Sequence, residues 1–260
     1  MTNFIDAAMT GLDPITLIIA LAIGLLAGFV KGAVGFAMPM ILISGLGSIL
    51  SAELALAALI LPALVTNVMQ ALRQGAGAAA ASARRFWLFL SVCGLFLLGS
   101  AQLVRVLSTE ALFLLIGLPI VGFAVLQLAG WHLRLTASQR RPAELIMGAM
   151  AGFIGGLSGV WGPPTVAYLT AIDTPKQEQI RVQGVVYGVG AVLLALAHLR
   201  TGVLNAQTLP LSVLMLVPAL GGMVIGQMLQ DRLDQKKFRK ITLLVLAVAG
   251  LNLIRRSLMG

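Results

Sequence analysis

The chain reads as apolar runs near 15–30, 36–50, 54–72, 86–104, 111–130, 143–157, 163–172, 182–199, 209–229 and 241–254, separated by short charged or Gly/Pro-rich breaks. A run of about 20 apolar residues is what an α-helix needs to cross a bilayer, so the pattern predicts an all-α polytopic membrane protein. The runs at 36–50 and 163–172 are too short to cross comfortably, because a helix of about 10–15 residues reaches only about 15–22 Å. Each follows its predecessor across a glycine-rich break. Each such pair is therefore expected to form one broken or re-entrant unit.

The two breaks repeat each other. Ala27-Gly-Phe-Val-Lys-Gly-Ala-Val-Gly-Phe36 aligns without gaps on Ala151-Gly-Phe-Ile-Gly-Gly-Leu-Ser-Gly-Val160, with five of ten positions identical. At the same offset of 124, Pro39 falls on Pro163; at an offset of 127, Arg73-Gln-Gly75 falls on Arg200-Thr-Gly202 and Gly99 on Gly226. This ordered agreement points to a duplication, with halves at 1–131 and 143–260 joined by a basic linker at 132–142.

Composition supports lipid as the solvent: 59% of residues are apolar, 10% are charged, and the mean hydropathy is +0.99, far from an ordinary soluble domain. The net charge of +9 would suggest nucleic acid in a soluble protein. Here the basic residues form short clusters between apolar runs, where they set topology and meet anionic lipid, so no nucleic acid is expected as a partner. If each Gly-broken pair counts as one span, the 17 basic residues other than Lys31 divide nine to eight between the two sides. If each pair returns to the side it came from, one side collects Arg73, Arg84, Arg85, Arg134, Arg140, Arg141, Lys176, Arg181, Arg232, Lys236, Lys237, Arg239 and Lys240, against Arg105, Arg200, Arg255 and Arg256. That bias is what the positive-inside rule demands. Each half then crosses an odd number of times, which gives two inverted-topology repeats, each with a broken or re-entrant pair plus three spanning helices, and the acidic N-terminus (Asp6, Asp13) outside. The N-terminal stretch has no Lys or Arg, unlike a cleaved signal peptide, so the first apolar segment is expected to stay. The single cysteine, Cys93, allows neither an intrachain disulfide nor a Cys-based metal site. No metal and no cofactor is expected.

The breaks are where chemistry is expected. Lys31-Gly32-Ala-Val-Gly35-Phe36-Ala-Met-Pro39 and Gly155-Gly156-Leu-Ser158-Gly159-Val-Trp161-Gly162-Pro163-Pro164 mix glycine with prolines that lack an N–H. The half-helix after each break offers N–H donors and positive dipole to an anion; close helix packing is the competing use of the glycines. Lys31 is an ionisable residue inside a span, which is a functional hypothesis by default, with a snorkelling lysine as its alternative. Arg73 and Arg200 sit at equivalent helix ends as topology anchors or anion guides. Asn67, Gln70, Ser158, Gln183, Tyr187 and His198 are the polar side chains of apolar segments, and Phe36 and Trp161 could wall a small pocket. Glu53, Glu110, Glu144, Asp173 and Glu178 all fall at segment ends, so a mid-span carboxylate relay is not expected.

Residues 27–39 and 151–164, with Tyr168-Leu169 and the paired Arg73 and Arg200, resemble the TauE/SafE family of sulfite exporters, small-anion carriers of the bacterial inner membrane. The resemblance runs over nearly the whole chain. The glycine triplet common in the family motif is Gly35-Phe-Ala in the first copy and Gly159-Val-Trp-Gly in the second. Membership implies transport of sulfite, sulfonates such as taurine derivatives and sulfoacetate, or related organic anions. The expected mechanism holds the anion between two Gly/Pro-broken half-helices near the midplane and rocks one bundle against the other. The expected contact residues are Lys31, Gly32, Gly35, Phe36, Pro39, Asn67, Gln70, Gly156, Ser158, Gly159, Trp161, Gly162, Pro163, Gln183 and Tyr187. The small anion and the lipid bilayer are the expected partners, and the sequence allows a homo-oligomer.

An enzyme reading competes. Gly156-Leu-Ser158-Gly159 matches the GxSG of rhomboid-like intramembrane serine proteases, with His198 on a later helix as the base. Against it, the first copy of the motif carries Val34 at the serine position.

Overall fold

The computed structural model describes residues 12–100, 135–158 and 160–259, together with positions 114, 117, 118, 121, 122, 124–126 and 128–130. Among these the regular elements are helices: α1 Pro14–Val34, α2 Met38–Leu46, α3 Ala52–Leu72, α4 Ala76–Arg85, α5 Trp87–Ser100, α6 Ala137–Ser158, α7 Gly162–Ala171, α8 Lys176–Thr201, α9 Leu209–Leu214, α10 Leu216–Arg232 and α11 Gln235–Met259. Nine of the twenty positions of the expected run at 111–130 lie outside the described residues.

Among the described residues, five stretches are long and apolar enough to cross a membrane: α1, Leu54–Leu72, Lys176–Arg200, Leu209–Arg232 and Gln235–Leu258. A sixth is the pair α4 and α5, bent by 77° at Phe86. The sequence reading has no counterpart for α4, whose Ala76-Gly-Ala-Ala-Ala-Ala-Ser-Ala-Arg-Arg85 is too short and too polar for a hydropathy run. It is helical because alanine is the strongest helix former and arginine follows closely. Apolar side chains such as Ile15, Ile18, Val217 and Leu258 are two-thirds or more exposed, as lipid-facing positions are.

The local chemistry explains the helix ends. Asp13 caps α1, accepting from the Ile15 and Thr16 amides at 3.0 Å each and from the Thr16 hydroxyl at 2.5 Å. The Thr16 side-chain bond, followed by its amide, holds the Asp13 carboxyl below the usual carboxylate range. Pro14 sits in the first turn, where its missing N–H costs nothing.

The chain forms two compact units that draw on distant parts of the sequence: residues 1–70 with 191–232, and residues 71–190 with 233–260. In the first unit α1 crosses α10 with backbone against backbone. A Cβ at Gly28 would stand 2.1 Å from the Ala219 carbonyl oxygen and one at Gly32 2.2 Å from that of Met223. The approach is reciprocal, because a Cβ at Gly222 would meet the Leu25 oxygen at 2.0 Å and one at Gly226 the Phe29 oxygen at 2.1 Å. Glycines four apart on both helices make this approach possible, the small-residue packing of membrane helices. Around the seam, Ala20, Ala27, Met38, Leu42, Leu46, Leu59, Leu211 and Met215 form the apolar core of the unit.

The second unit has the same device. A Cβ at Gly152 would stand 2.1 Å from the Cys93 carbonyl oxygen, so α5 and α6 also cross at backbone distance. Tyr168 of α7 stacks on Phe89 at 5.7 Å between centroids and meets Phe86 edge-on at 6.5 Å. On the polar end of this unit, Arg181 donates to Ser82 Oγ at 2.7 Å and to Gln74 Oε1, Gln74 donates to the Gln177 carbonyl at 2.8 Å, and Arg85 pairs with Glu178 at 2.6 Å. These contacts tie α4 and the turn before it to the first turns of α8.

Candidate functional site: two helix breaks

The helix fails where glycine and proline converge, and at matching registers in the two motifs. Helix α1 ends at Val34 and α6 at Ser158; α2 begins at Met38 and α7 at Gly162, each pair separated by the repeat offset of 124. Pro39 and Pro163 occupy the second position of their half-helices. The equivalent helix-end glycines Gly75 and Gly202 both have positive φ, +91° and +80°.

In the first break, Gly35 closes α1 in the left-handed conformation at φ +86°, its N–H donating to the Lys31 carbonyl at 2.7 Å. This is a glycine C-cap. Two residues on, Ala37 is also left-handed at φ +74°, a conformation that costs a residue with a Cβ about 1–3 kcal/mol and that gathers at functional sites. Helix α2 then starts with no side-chain cap. Its first amides have no acceptor within the helix, and Pro39 removes one of them.

Polar side chains surround this break within the first unit. Lys31, only 2% exposed, donates through Nζ to Asn67 Oδ1. The ammonium is enclosed, so the snorkelling alternative does not describe it. Gln70, one turn after Asn67 on α3 and equally buried, donates from Nε2 to the Gly35 carbonyl at 3.0 Å. Helix α3 thus holds both the lysine and the broken backbone. Phe36, Ala37 and Met38 are buried beside them. Gln230 of α10, buried and donating to the Ala33 carbonyl at 3.5 Å, joins the same break and was absent from the expected set. It lies just past the apolar run at 209–229, where hydropathy carries no signal for it. Gly32 faces the α1–α10 seam.

The second break, in the other unit, is aromatic. Trp161, 3% exposed, packs its indole against two glycines: a Cβ at Gly155 would lie 2.8 Å from the ring and one at Gly190 3.1 Å. Its ring centroid is 6.4 Å from that of Tyr187, whose hydroxyl donates to the Gly162 carbonyl at 3.2 Å. Thr165 donates to the Trp161 carbonyl at 2.9 Å, and α7 begins without a side-chain cap. Gln183, one turn before Tyr187 on α8, is fully buried, and neither its amide nitrogen nor its amide oxygen has a hydrogen-bond partner among the described residues. Gly156 and Pro163 lie in the α6 and α7 turns flanking the break. Gly159 and the side chain of Ser158 lie outside the described residues. His198 belongs to the other compact unit.

Among the described residues no group of three His, Cys, Asp or Glu side chains is placed to hold a metal ion. The chemistry on offer at the first break is a buried amine, side-chain amides and the uncapped start of a half-helix. That set suits an oxyanion, which takes hydrogen bonds from N–H groups and charge from an ammonium. Comparisons with curated proteins and with solved structures gave no match. The family model described as sulfite exporter TauE/SafE matches residues 20–253, which takes in both breaks and their supporting helices, and the chain belongs to that family.

Proposed function

We propose that the protein is a secondary transporter of a small sulfur-containing anion, sulfite or a sulfonate, across the bacterial inner membrane, and that the helix breaks are where the anion is held. Lys31 carries the reading. A cation inside a membrane span is expensive and marks a substrate or ion pathway, and this one sits one turn before a break whose next helix starts uncapped. An incoming oxyanion would compensate the ammonium and accept from the first amides of α2, where the helix dipole is positive. Asn67 fixes the ammonium and Gln70 the backbone, so the donors are arranged before the anion arrives. Such preorganisation lowers the cost of ordering a site on binding.

The matching registers of the two breaks support the reading of a duplicated chain, and the distribution of Lys and Arg supports halves of inverted topology with the N-terminus outside. The proposal is tested with the purified protein in proteoliposomes loaded against labelled sulfite, sulfoacetate, taurine and sulfate, with and without a pH gradient. Saturable uptake of sulfite or a sulfonate above protein-free vesicles is expected. Fluxes equal to those of empty vesicles for every anion would overturn it.

A further inference from the structure

We infer that the corner between α4 and α5 is a docking site for an anionic phospholipid, its phosphate held by Arg84, Arg140 and Arg141 and its chains laid along the exposed apolar faces of α5 and α6. All of these residues belong to the second compact unit. The inference stands apart from the transport reading and does not depend on which anion the protein carries.

Helix α4 ends in Arg84 and Arg85 and turns by 77° into α5 at Phe86. A short helix set nearly at right angles to the apolar helix it feeds lies along the membrane surface, at the level of the headgroups. Helix α6 starts on the same side, because it runs parallel to α5: a Cβ at Gly148 would meet the Phe89 carbonyl oxygen at 3.1 Å, and four residues on along both helices one at Gly152 would meet that of Cys93 at 2.1 Å. That register sets Arg140 and Arg141 one helical turn outward of Phe86, about 6–8 Å. Arg85 and Arg140 both act electrostatically on the Tyr168 hydroxyl, so the two arginine pairs meet at one corner. Arg85 is occupied there, paired with Glu178 and lying over the Phe86 ring at 5.5 Å. The carboxylate of Glu144, one turn inward, accepts from the Phe89 amide at 3.2 Å. Arg84, Arg140 and Arg141 are exposed and make no ion pair among the described residues. Three guanidinium groups are therefore left to an outside anion, and their forked N–H groups match phosphate oxygens.

Just inward of the arginines the surface turns apolar. Trp87, 62% exposed, opens α5, and the exposed Leu95 and Leu98 continue its side of the helix. On α6 the exposed Leu145 and Ile146 follow Arg141 by one turn. Tryptophan at this depth is an interfacial anchor. A cationic rim above two apolar strips complements a headgroup above acyl chains, whereas a soluble anion would leave the strips unused.

The test takes the purified full chain in detergent at constant ionic strength and reads lipid adducts by native mass spectrometry as dioctanoyl phosphatidylglycerol or dioctanoyl phosphatidylcholine is added. The two lipids share their chains and differ in headgroup charge. Phosphatidylglycerol is expected to bind at least about tenfold more tightly, because each arginine near the headgroups adds to its attraction. The variant Arg84→Gln/Arg140→Gln/Arg141→Gln should lose that preference. Lys236→Gln/Lys237→Gln/Lys240→Gln, which removes the same charge from the exposed first turns of α11, should keep it. Equal binding of the two lipids by the wild type overturns the inference, and so does a preference that survives the arginine substitutions. A preference lost equally in the lysine variant would mean diffuse charge and no site at the corner. Displacement of phosphatidylglycerol from the wild type by inorganic phosphate would give the arginines to a free anion, which also overturns it. The lipid comparison and the phosphate competition need only the wild type, so neither depends on the folding of a variant.

Discussion

Replacing Lys31 by methionine is expected to reduce sulfite or sulfonate flux in proteoliposomes at least about 30-fold, which corresponds to roughly 2 kcal/mol, the low end of what truncating one partner of a buried charge pair costs. The loss should not come from misfolding, and the pairing with Asn67 allows the two to be separated. Removing the amine alone takes one donor from the buried Asn67 carbonyl, while Asn67→Leu alone takes one acceptor from a buried ammonium, the costlier error. Replacing both by apolar side chains of similar volume removes both penalties. The double variant Lys31→Met/Asn67→Leu should therefore unfold later than Asn67→Leu, a non-additivity that only contacting residues show. It should nevertheless carry no flux. A single Lys31→Met protein with wild-type uptake would end the role assigned to the amine.

The second large effect lies in the helix seams. Gly28→Ala places a methyl group 2.1 Å from the Ala219 carbonyl oxygen, and Gly152→Ala places one 2.1 Å from that of Cys93. Neither neighbour is a flexible side-chain tip, so the helices themselves must separate. In the first unit that separation would also open the contacts at Gly32, Gly222 and Gly226. Overpacking of this kind costs about 1–3 kcal/mol and occasionally more, or roughly 2–12 °C in the unfolding midpoint for a chain of this size. Gly94→Ala and Gly99→Ala are the matched controls, because a Cβ at either position meets nothing within 4 Å among the described residues. There the gain in helix propensity should leave the midpoint unchanged or slightly raised. A Gly28→Ala protein as stable as Gly94→Ala would show that α1 and α10 do not approach as described.

The position of both breaks was legible in the sequence, because glycine and proline act locally. Gly35 ends α1 in a conformation that it alone adopts without strain, and Pro39 and Pro163 start their half-helices where a missing N–H is harmless. Lys31, Asn67 and Gln70 were also legible as polar residues in apolar segments, although spacing alone did not reveal that they meet at one break. The polar starts of α6, α8 and α11 were not, since hydropathy marks the apolar part of a helix and not the charged turns that continue it. Helix α4 escaped for the same reason. The interleaving of the compact units was out of reach too: similarity between the halves says that Gly28 and Gly152 are equivalent, but not that one meets Ala219 and the other Cys93. Gln183 stood in the sequence as one polar residue among several. What singles it out is a burial without partners among the described residues, a property of the packed helices.

The central claim is that the Lys31 amine and the first amides of α2 hold the anion. The most direct measurement is nuclear magnetic resonance of the protein with ¹⁵N at the lysine side chains and the backbone, titrated with sulfite or 2-hydroxyethanesulfonate. Saturable shifts confined to Lys31 Nζ, the Asn67 side chain and the amides of Met38 and Met40 are the expected result. Flux that persists while those signals stay fixed through saturation would contradict the account.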